Sequence, residues 1–194
     1  MIEGDEPGVL RLDAGSWTVL IRDELTYTPN SADNPRRYDR EIVLGQELGR
    51  AAGVEVYHDG RRVRSVALIT FPAMPPADEA RALVRGDLLI LALGQDVHAF
   101  GIPGLEPRWE TEADPACVFA LHAFVGSDDL IVRGELSISR LGLDGAIRWS
   151  GGGRDIFTGD FAIGEDDVMT TDWNDDVYRF RLADGAVIES PSRR

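Results

Sequence analysis

A repeat of about forty residues organises most of this chain. Four segments share an alternating apolar stretch followed by a turn that contains glycine, and these turn glycines stand at positions 60, 104, 145 and 185. Successive turn glycines are therefore 44, 41 and 40 residues apart. Three of the turns contain Asp-Gly, a strong β-hairpin signal because glycine adopts a positive φ without steric cost, and the turn at 104 contains Pro-Gly. A period of this length indicates stacked or radially arranged units.

Each repeat contains more than one predicted strand. An apolar strand that opens with an acidic residue precedes the turn in three repeats, at Asp87, Asp129 and Asp167. Trp109 and Trp149 lie 40 residues apart, each directly after an arginine, in the stretch that follows the turn. A further extended stretch comes first in the last two repeats. We therefore expect each unit to contain four antiparallel strands joined by tight turns, which is the pattern of a propeller blade.

The predicted fold is all-β, with four propeller-blade-like antiparallel repeats in a partial or small propeller-like array. We expect a single domain over 1–194, with an irregular N-terminal unit at 1–75 and regular repeats at about 76–112, 113–153 and 154–194. Closure into a small ring, an open fan and completion by a dimer are all compatible with the sequence.

At most one or two short helices are expected. Residues 76–84 contain helix formers and a proline near the start, which favours one short helix or a turn between strands. A second helix over 41–50 is an alternative, but Gly45 and Gly49 favour strand and turn there.

Residues 86–188 resemble a group of small bacterial proteins with quinoprotein-like, or PQQ-like, β-propeller-type repeats. In that repeat a turn glycine is followed about four residues later by a tryptophan that docks against the next blade. The matching stretches are Gly104 with Trp109, Gly134–Ile138, Asp144–Trp149, Gly153–Phe157, Asp172–Asn174 and Tyr178–Arg179. The resemblance implies a β-repeat fold and no activity. Quinone-dependent dehydrogenases are large, exported, eight-bladed enzymes, so we expect no quinone or other cofactor here.

The net charge of the chain restricts the classes of partner that we expect it to bind. The chain has 34 acidic side chains against 20 basic ones, all of them arginine, and a net charge of −14. This surplus repels phosphate backbones and anionic lipid, so we expect no binding to nucleic acid or membranes. No apolar run approaches the roughly 20 residues of a membrane span. The start of the chain, Met1–Leu10, has no cationic, apolar leader and Cys117 is the single cysteine, which together predict a cytoplasmic protein.

The densest electrostatic feature is the stretch 155–176, which contains eight acids and no basic residue. Such a run is typical of solvated turns, of a cation site or of an acidic face for a basic partner. Its segment Asp172–Asp176 resembles the start of a calcium-binding EF-hand loop. Val177 and Ala183 stand where that loop needs glycine and glutamate, so an EF-hand is excluded and a hairpin turn is favoured.

Trp173 differs from the repeat-equivalent tryptophans because its neighbours are acids and asparagine. A tryptophan in a polar turn is well suited to contact a partner or a sugar. The candidate residues for ligand or partner binding are Glu135, Arg154, Asp155, Asp172, Trp173, Asn174, Asp175 and Asp176.

No catalytic set is recognisable, so we expect neither catalytic residues nor a metal site. His58, His98 and His122 come from different repeats and share no metal-ligand spacing. Cys117 lies in an apolar stretch, which is more typical of a small core residue than of a nucleophile. The nucleophile elbow Gly-x-Ser-x-Gly does not occur.

The sequence therefore favours a non-catalytic, acidic protein-interaction module whose partner has a basic surface, in the manner of an inhibitor or immunity protein. The alternative is a small-ligand sensor or hydrolase with a site near Glu135, Asp155 and Trp173. Self-association is a further alternative, because the basic residues near Arg36 and Arg61 contrast with the acidic C-terminal half.

Overall fold

A computed structural model describes residues 8–44, 50–70 and 77–190. These residues form seventeen β-strands and no helix, and the strands make four sheets. The predicted all-β class with four antiparallel units is therefore confirmed. No described segment forms a helix long and apolar enough to cross a membrane.

The first sheet has five strands in the order β1-β2-β4-β5-β3, and β3 is parallel to β5. Its strands are β1 (Val9–Ala14), β2 (Trp17–Glu24), β3 (Arg40–Val43), β4 (Ala51–His58) and β5 (Arg61–Ile69). The second sheet contains β6 (Ala82–Arg85), β7 (Leu88–Leu93), β8 (Asp96–Gly101) and β9 (Glu106–Glu112), in chain order.

The third and fourth sheets each have four strands in chain order, and their neighbouring strands pair antiparallel. The third sheet contains β10 (Val118–Ala123), β11 (Leu130–Gly134), β12 (Ser137–Leu141) and β13 (Ile147–Gly152). The fourth contains β14 (Phe161–Ile163), β15 (Asp167–Thr171), β16 (Val177–Arg181) and β17 (Val187–Glu189).

The Asp-Gly turns of the repeat have the expected backbone. Gly60, Gly145 and Gly185 all have a positive φ, between 71° and 81°. At the first of these turns Asp59 also has a positive φ of 49°, so it forms a two-residue type I′ hairpin between β4 and β5. The Pro-Gly turn differs, because Leu105 at φ 60° takes the left-handed conformation in place of Gly104.

The segment for which a short helix or turn was expected is a turn. Its described part, from Ala77 onward, runs through a turn into β6, and Pro76 lies outside the described residues. Gly45 and Gly49, on which the prediction for 41–50 depended, also lie outside the described residues, as do residues 1–7 at the start of the chain.

The chain divides into two compact units, Met1–Gly94 with His98–Trp109, and Gln95–Val97 with Glu110–Arg194. In the first unit one face of the five-stranded sheet contributes Val19, Val54 and Leu68 to an apolar core that also contains residues of β6–β8. The segment 25–39 supplies Tyr27 and Tyr38, which pack on Ala51, Ala67 and Ile69 of the same sheet. Successive side chains of a strand point to opposite faces, and runs such as Val19–Arg22 and Ala51–Val56 are buried without interruption, so both faces of these central strands are covered.

The second unit is built around aromatic side chains contributed by both its four-stranded sheets. Trp149 and Phe180 stack with ring centroids 6.4 Å apart, and Phe157 meets Tyr178 edge-to-face at 5.4 Å. The indole Nε1 of Trp149 donates to the carbonyl oxygen of Leu182 at 2.9 Å. A Cβ at Gly185 would lie 2.7 Å from the Trp149 ring, so the turn glycine of the last repeat allows this close contact.

Candidate functional site

The eight candidate residues lie on three connections at one end of the third and fourth sheets. Glu135 is in the β11–β12 turn, Arg154 and Asp155 are in the β13–β14 connection, and the segment Asp172–Asp176 joins β15 to β16. Alternate turns of an antiparallel sheet lie at the same end, so this grouping follows from the strand order. The structure therefore brings together the residues that the sequence analysis selected.

Backbone hydrogen bonds join these three connections. Phe157 N donates to the carbonyl oxygen of Glu135 at 2.6 Å, and Trp173 N donates to that of Ile156 at 2.9 Å. The side-chain amide of Asn174 donates to Asp155 Oδ2 at 3.0 Å. The middle connection is thus held on both sides.

Asp172 is a structural residue of this site. Its carboxylate is almost fully buried and accepts hydrogen bonds from Asn174 N at 2.9 Å, Asp176 N at 3.1 Å and the Tyr178 hydroxyl at 3.0 Å. The Tyr178 hydroxyl in turn accepts a hydrogen bond from Arg154 N at 3.0 Å. Burial raises the pKa of Tyr178, and its hydrogen bond to Asp172 acts in the same direction. Asp172 therefore shapes the loop and is not available to a partner.

Trp173 projects from this fixed loop, and 69% of its surface is exposed. The three connections at this end carry four acids, of which Asp155 and Asp175 are exposed and Glu135 and Asp176 are half-buried, together with the exposed Arg154. None of these four carboxylates forms an ion pair with any residue that the structure describes. We call Trp173 together with Glu135, Asp155, Asp175 and Asp176 the acidic Trp surface. It combines an exposed aromatic ring with four acids on the connections that are hydrogen-bonded to its loop, a composition that suits a cationic group.

The histidines and the cysteine have local packing roles in the structure. The His58 ring lies 4.5 Å from that of Trp17, His98 is buried and stacks on Phe100, and His122 stacks on Phe161. Cys117 is half-buried, and its backbone N–H donates to Asp114.

Two residues that support the site were missed by the sequence analysis. Tyr178 was named only in the stretch Tyr178–Arg179 that resembles the propeller-type repeat, and nothing in the sequence shows that its hydroxyl joins two connections. Asp114 lies in an Asp-Pro pair, which is a turn signal, and its carboxylate accepts hydrogen bonds from the backbone N–H groups of Leu136 and Ser137, beside Glu135. The Asp-Pro pair predicts the turn, but nothing in the sequence shows that the carboxylate of Asp114 is buried.

Comparison with known proteins shows the fold alone. No protein-family model matches the chain, and no curated protein matches its sequence. The computationally designed Ika8 protein is similar in structure, with a TM-score of 0.53, 9% identity, and coverage of 94% of this chain and 61% of that one. BamB from Moraxella catarrhalis has a TM-score of 0.55, 13% identity, and coverage of 94% of this chain and 48% of its own.

Ika8 and BamB are both β-propeller proteins, so this chain has a propeller-like fold. It spans about three-fifths of the length of the first and about half of the second. A shared fold at this identity carries no activity from one protein to another.

Replacing Asp172 with alanine is expected to lower the free energy of unfolding by about 2–3 kcal/mol, because the Tyr178 hydroxyl and two backbone N–H groups lose their acceptor. The measurement is urea-induced unfolding followed by tryptophan fluorescence and circular dichroism. Asp166→Ala is the matched control, since it removes the same charge from an exposed position in the same acidic stretch. Equal destabilisation by the two substitutions would contradict the structural role of Asp172.

Proposed function

We propose that this protein is a non-catalytic interaction module. Its acidic Trp surface binds a basic surface on another protein. The observation that carries the proposal is the exposed Trp173 ring, held on a hydrogen-bonded loop at the end of the sheets where four carboxylates have no ion-pair partner among the described residues. A propeller-like fold is consistent with this role, because it presents loops on a rigid sheet scaffold.

The chemistry of the surface indicates what the partner must contribute. An arginine or lysine side chain stacked on a tryptophan ring gains about 0.5–2 kcal/mol, depending on how much water is excluded. Carboxylates around the ring attract the same cation and orient it. The net charge of −14 extends this attraction to long range and speeds association with a basic protein.

The rigidity of the loop adds to affinity. Trp173 N donates a hydrogen bond to the carbonyl oxygen of Ile156, and the backbone N–H groups of Asn174 and Asp176 donate to the carboxylate of Asp172. Little conformational entropy is therefore lost when a partner covers the ring. A specific form of the proposal is an inhibitor or immunity protein whose acids cover the basic site of a nuclease or toxin.

The first experiment is an affinity capture from lysate of the source organism at about 0.05 M and about 0.5 M salt, followed by mass spectrometry and a titration of the purified partner. We expect one basic, stoichiometric partner whose affinity falls at least about tenfold between the two salt concentrations, because exposed charges are screened. Affinity that does not change with salt would contradict the proposal.

Variants then locate the surface. Trp173→Ala is expected to weaken binding about thirtyfold, which corresponds to the loss of one hot-spot side chain of about 2 kcal/mol. The triple charge reversal of Asp155, Asp175 and Asp176 to lysine is expected to weaken binding at least a hundredfold. Asp172 is left intact because its substitution would disturb the loop.

A second triple variant provides the matched control. Asp128, Glu165 and Asp166 are exposed acids in the β10–β11 and β14–β15 turns, at the other end of the same sheets. Reversing these three charges changes the net charge equally, and we expect no more than a severalfold loss of affinity. Equal losses in the two triple variants would show that only net charge matters. Thermal stabilisation by a sugar or nucleotide that is lost in Glu135→Gln would instead support a small-ligand sensor.

A further inference from the structure

A surface cavity of about 440 Å³ lies at the end of the third and fourth sheets that is opposite to the acidic Trp surface. Its walls come from the β10–β11 turn, the last part of β12, the β14–β15 turn and the β16–β17 hairpin. This volume is within the range of small-molecule sites in proteins. We call it the Arg181 cavity, and the lining residues that bear on its ligand are Phe124, Arg140, Glu165, Asp166, Arg181 and Ile188.

Arg140 joins the two sheets at the wall of the Arg181 cavity. Its Nη1 donates to the carbonyl oxygen of Leu182 at 3.0 Å, its Nε donates to Asp129 Oδ2 at 2.7 Å, and its Nη2 donates to Ser127 Oγ at 3.2 Å. The guanidinium carbon also lies 5.4 Å from the centre of the Phe124 ring. All three nitrogens of Arg140 are therefore engaged within the protein, and this side chain shapes the cavity without being available to a ligand.

Arg181 and two carboxylates line the same cavity without pairing with each other. Nη1 of Arg181 donates to Asp184 at 3.0 Å, and its Nε and Nη2 have no acceptor within the part of the chain that the structure describes. The side chains of Glu165 and Asp166 are exposed and form neither a hydrogen bond nor an ion pair with any described residue. Free donors and free acceptors therefore line one cavity but do not contact each other.

The rest of the lining is largely apolar. Ile188 is 53% exposed although its side chain is a large aliphatic one, and Phe124, Leu182 and Ala183 also line the cavity. The backbone N–H of Leu182 donates to the carbonyl oxygen of Asp166 at 2.8 Å, so the two turns that carry the free charged groups are held together. A ligand that matches this lining has a positive group, a negative group and an aliphatic part.

We propose that the Arg181 cavity binds a free α-amino acid with an aliphatic side chain. The ammonium group of the ligand pairs with the carboxylates of Glu165 and Asp166, and its carboxylate accepts hydrogen bonds from Nε and Nη2 of Arg181. The aliphatic side chain packs on Ile188 and Phe124. A zwitterion matches both kinds of free group at once, whereas a simple cation leaves two Arg181 nitrogens without an acceptor and a simple anion meets two carboxylates.

The test is thermal unfolding of the purified chain with L-leucine at constant pH and ionic strength. At ten times the dissociation constant, the unfolding temperature is expected to rise by about 3–6 °C. Glycine, isoamylamine and isocaproate serve as comparisons, because they lack the side chain, the carboxylate and the ammonium group of leucine, respectively. Each is expected to bind at least about tenfold more weakly. No saturable rise with leucine, or an equal rise with any of the three, would overturn the proposal.

The arginine is tested with a matched pair of variants. Arg181→Gln is expected to abolish the response to leucine, whereas Arg11→Gln keeps it. Both substitutions remove an exposed arginine that pairs with an aspartate two or three residues away, Asp13 or Asp184, and Arg11 lies on β1, outside the cavity. A response to leucine that persists in Arg181→Gln contradicts the assignment.

The two carboxylates are tested in the same way. The double variant Glu165→Gln with Asp166→Asn is expected to lose the response to leucine. Its control, Asp155→Asn with Asp175→Asn, also removes two exposed acids but does so at the opposite end of the sheets, and it is expected to keep the response. Equal responses in the two double variants would show that these carboxylates do not bind the ligand.

A nuclear magnetic resonance titration provides a readout that does not depend on stability. Leucine is expected to shift the methyl resonances of Ile188 along a saturable curve and to leave those of Ile156, in the β13–β14 connection at the opposite end, unchanged. Ile188→Val assigns the signal. Ile188 resonances that do not respond to leucine, or that respond equally to glycine, would overturn the proposal.

Discussion

Replacement of Asp114 with alanine is expected to lower the free energy of unfolding by about 4 kcal/mol or more, a large part of the total stability of a typical domain. Asp114 is 1% exposed, and its carboxylate accepts hydrogen bonds from five donors. Oδ1 accepts from the backbone N–H groups of Ala116 and Cys117 at 2.8 and 3.0 Å. Oδ2 accepts from Leu136 N, Ser137 N and the Ser137 hydroxyl at 2.8–2.9 Å.

The size of this effect follows from what the substitution leaves behind. The segment before β10 and the β11–β12 turn both depend on this carboxylate, and alanine leaves their donors without an acceptor. Each buried donor that loses its acceptor costs about 1–3 kcal/mol, although water will reach the outermost of them. A Cβ at Gly134 would overlap Asp114, so the site also excludes any larger residue there.

Urea-induced unfolding measures the effect, with Asp128→Ala as the control that removes an exposed acid from the β10–β11 turn, at the other end of the same sheet. Asp114→Asn keeps one acceptor oxygen and is expected to give an intermediate loss. If Asp114→Ala and Asp128→Ala were equally stable, the hydrogen-bond network around Asp114 would not be important for folding.

The second large effect is expected for Phe180→Ala, at about 3–5 kcal/mol. Phe180 is fully buried in the aromatic core of the second unit, with ring centroids 6.3–6.5 Å from those of Trp149, Phe157 and Tyr178. Truncation removes the transfer free energy of the ring and leaves a cavity that these rigid rings cannot easily fill.

Val187→Ala is a well-matched control for this substitution. Val187 is the β17 partner of Phe180 in the register, yet it is 57% exposed, and its truncation is expected to cost less than about 1 kcal/mol. Thermal and urea-induced unfolding together measure both variants. Similar losses in the two would show that the last sheet is not anchored through its aromatic face.

Residues that support the candidate site can be distinguished experimentally from the residue proposed to contact a partner. Tyr178 lies beside Phe180 on β16 and carries the hydroxyl that joins Asp172 to Arg154. Damage to the core therefore reaches the loop of Trp173, whereas Trp173→Ala changes only an exposed ring and is expected to leave stability nearly unchanged. A loss of binding in a variant with unchanged stability is thus the informative result.

Much of the fold could be predicted from the sequence because its signals are local. The turns at Gly60, Gly145 and Gly185 need a positive φ that glycine adopts freely, and period-two alternation marks a strand in which every second residue is buried, such as β16. Because the chain repeats with a period of about forty residues, the same turn and strand signals occur in several units and support one another. Glu135, Asp155 and Trp173 lie at one end because two strands separate each of their connections from the next, and two antiparallel strands return the chain to the same end.

Only the tertiary structure distinguished the roles of chemically identical side chains. Asp172 and Asp175 are three residues apart in one acidic stretch, yet Asp172 is buried in the loop and Asp175 faces solvent. Tyr178 and Arg154 are joined across 24 residues, and Arg133 reaches Gly159 across 26. Turn and strand preferences act over a few neighbouring residues, whereas burial and hydrogen-bond partners depend on which distant segments the completed sheets bring together.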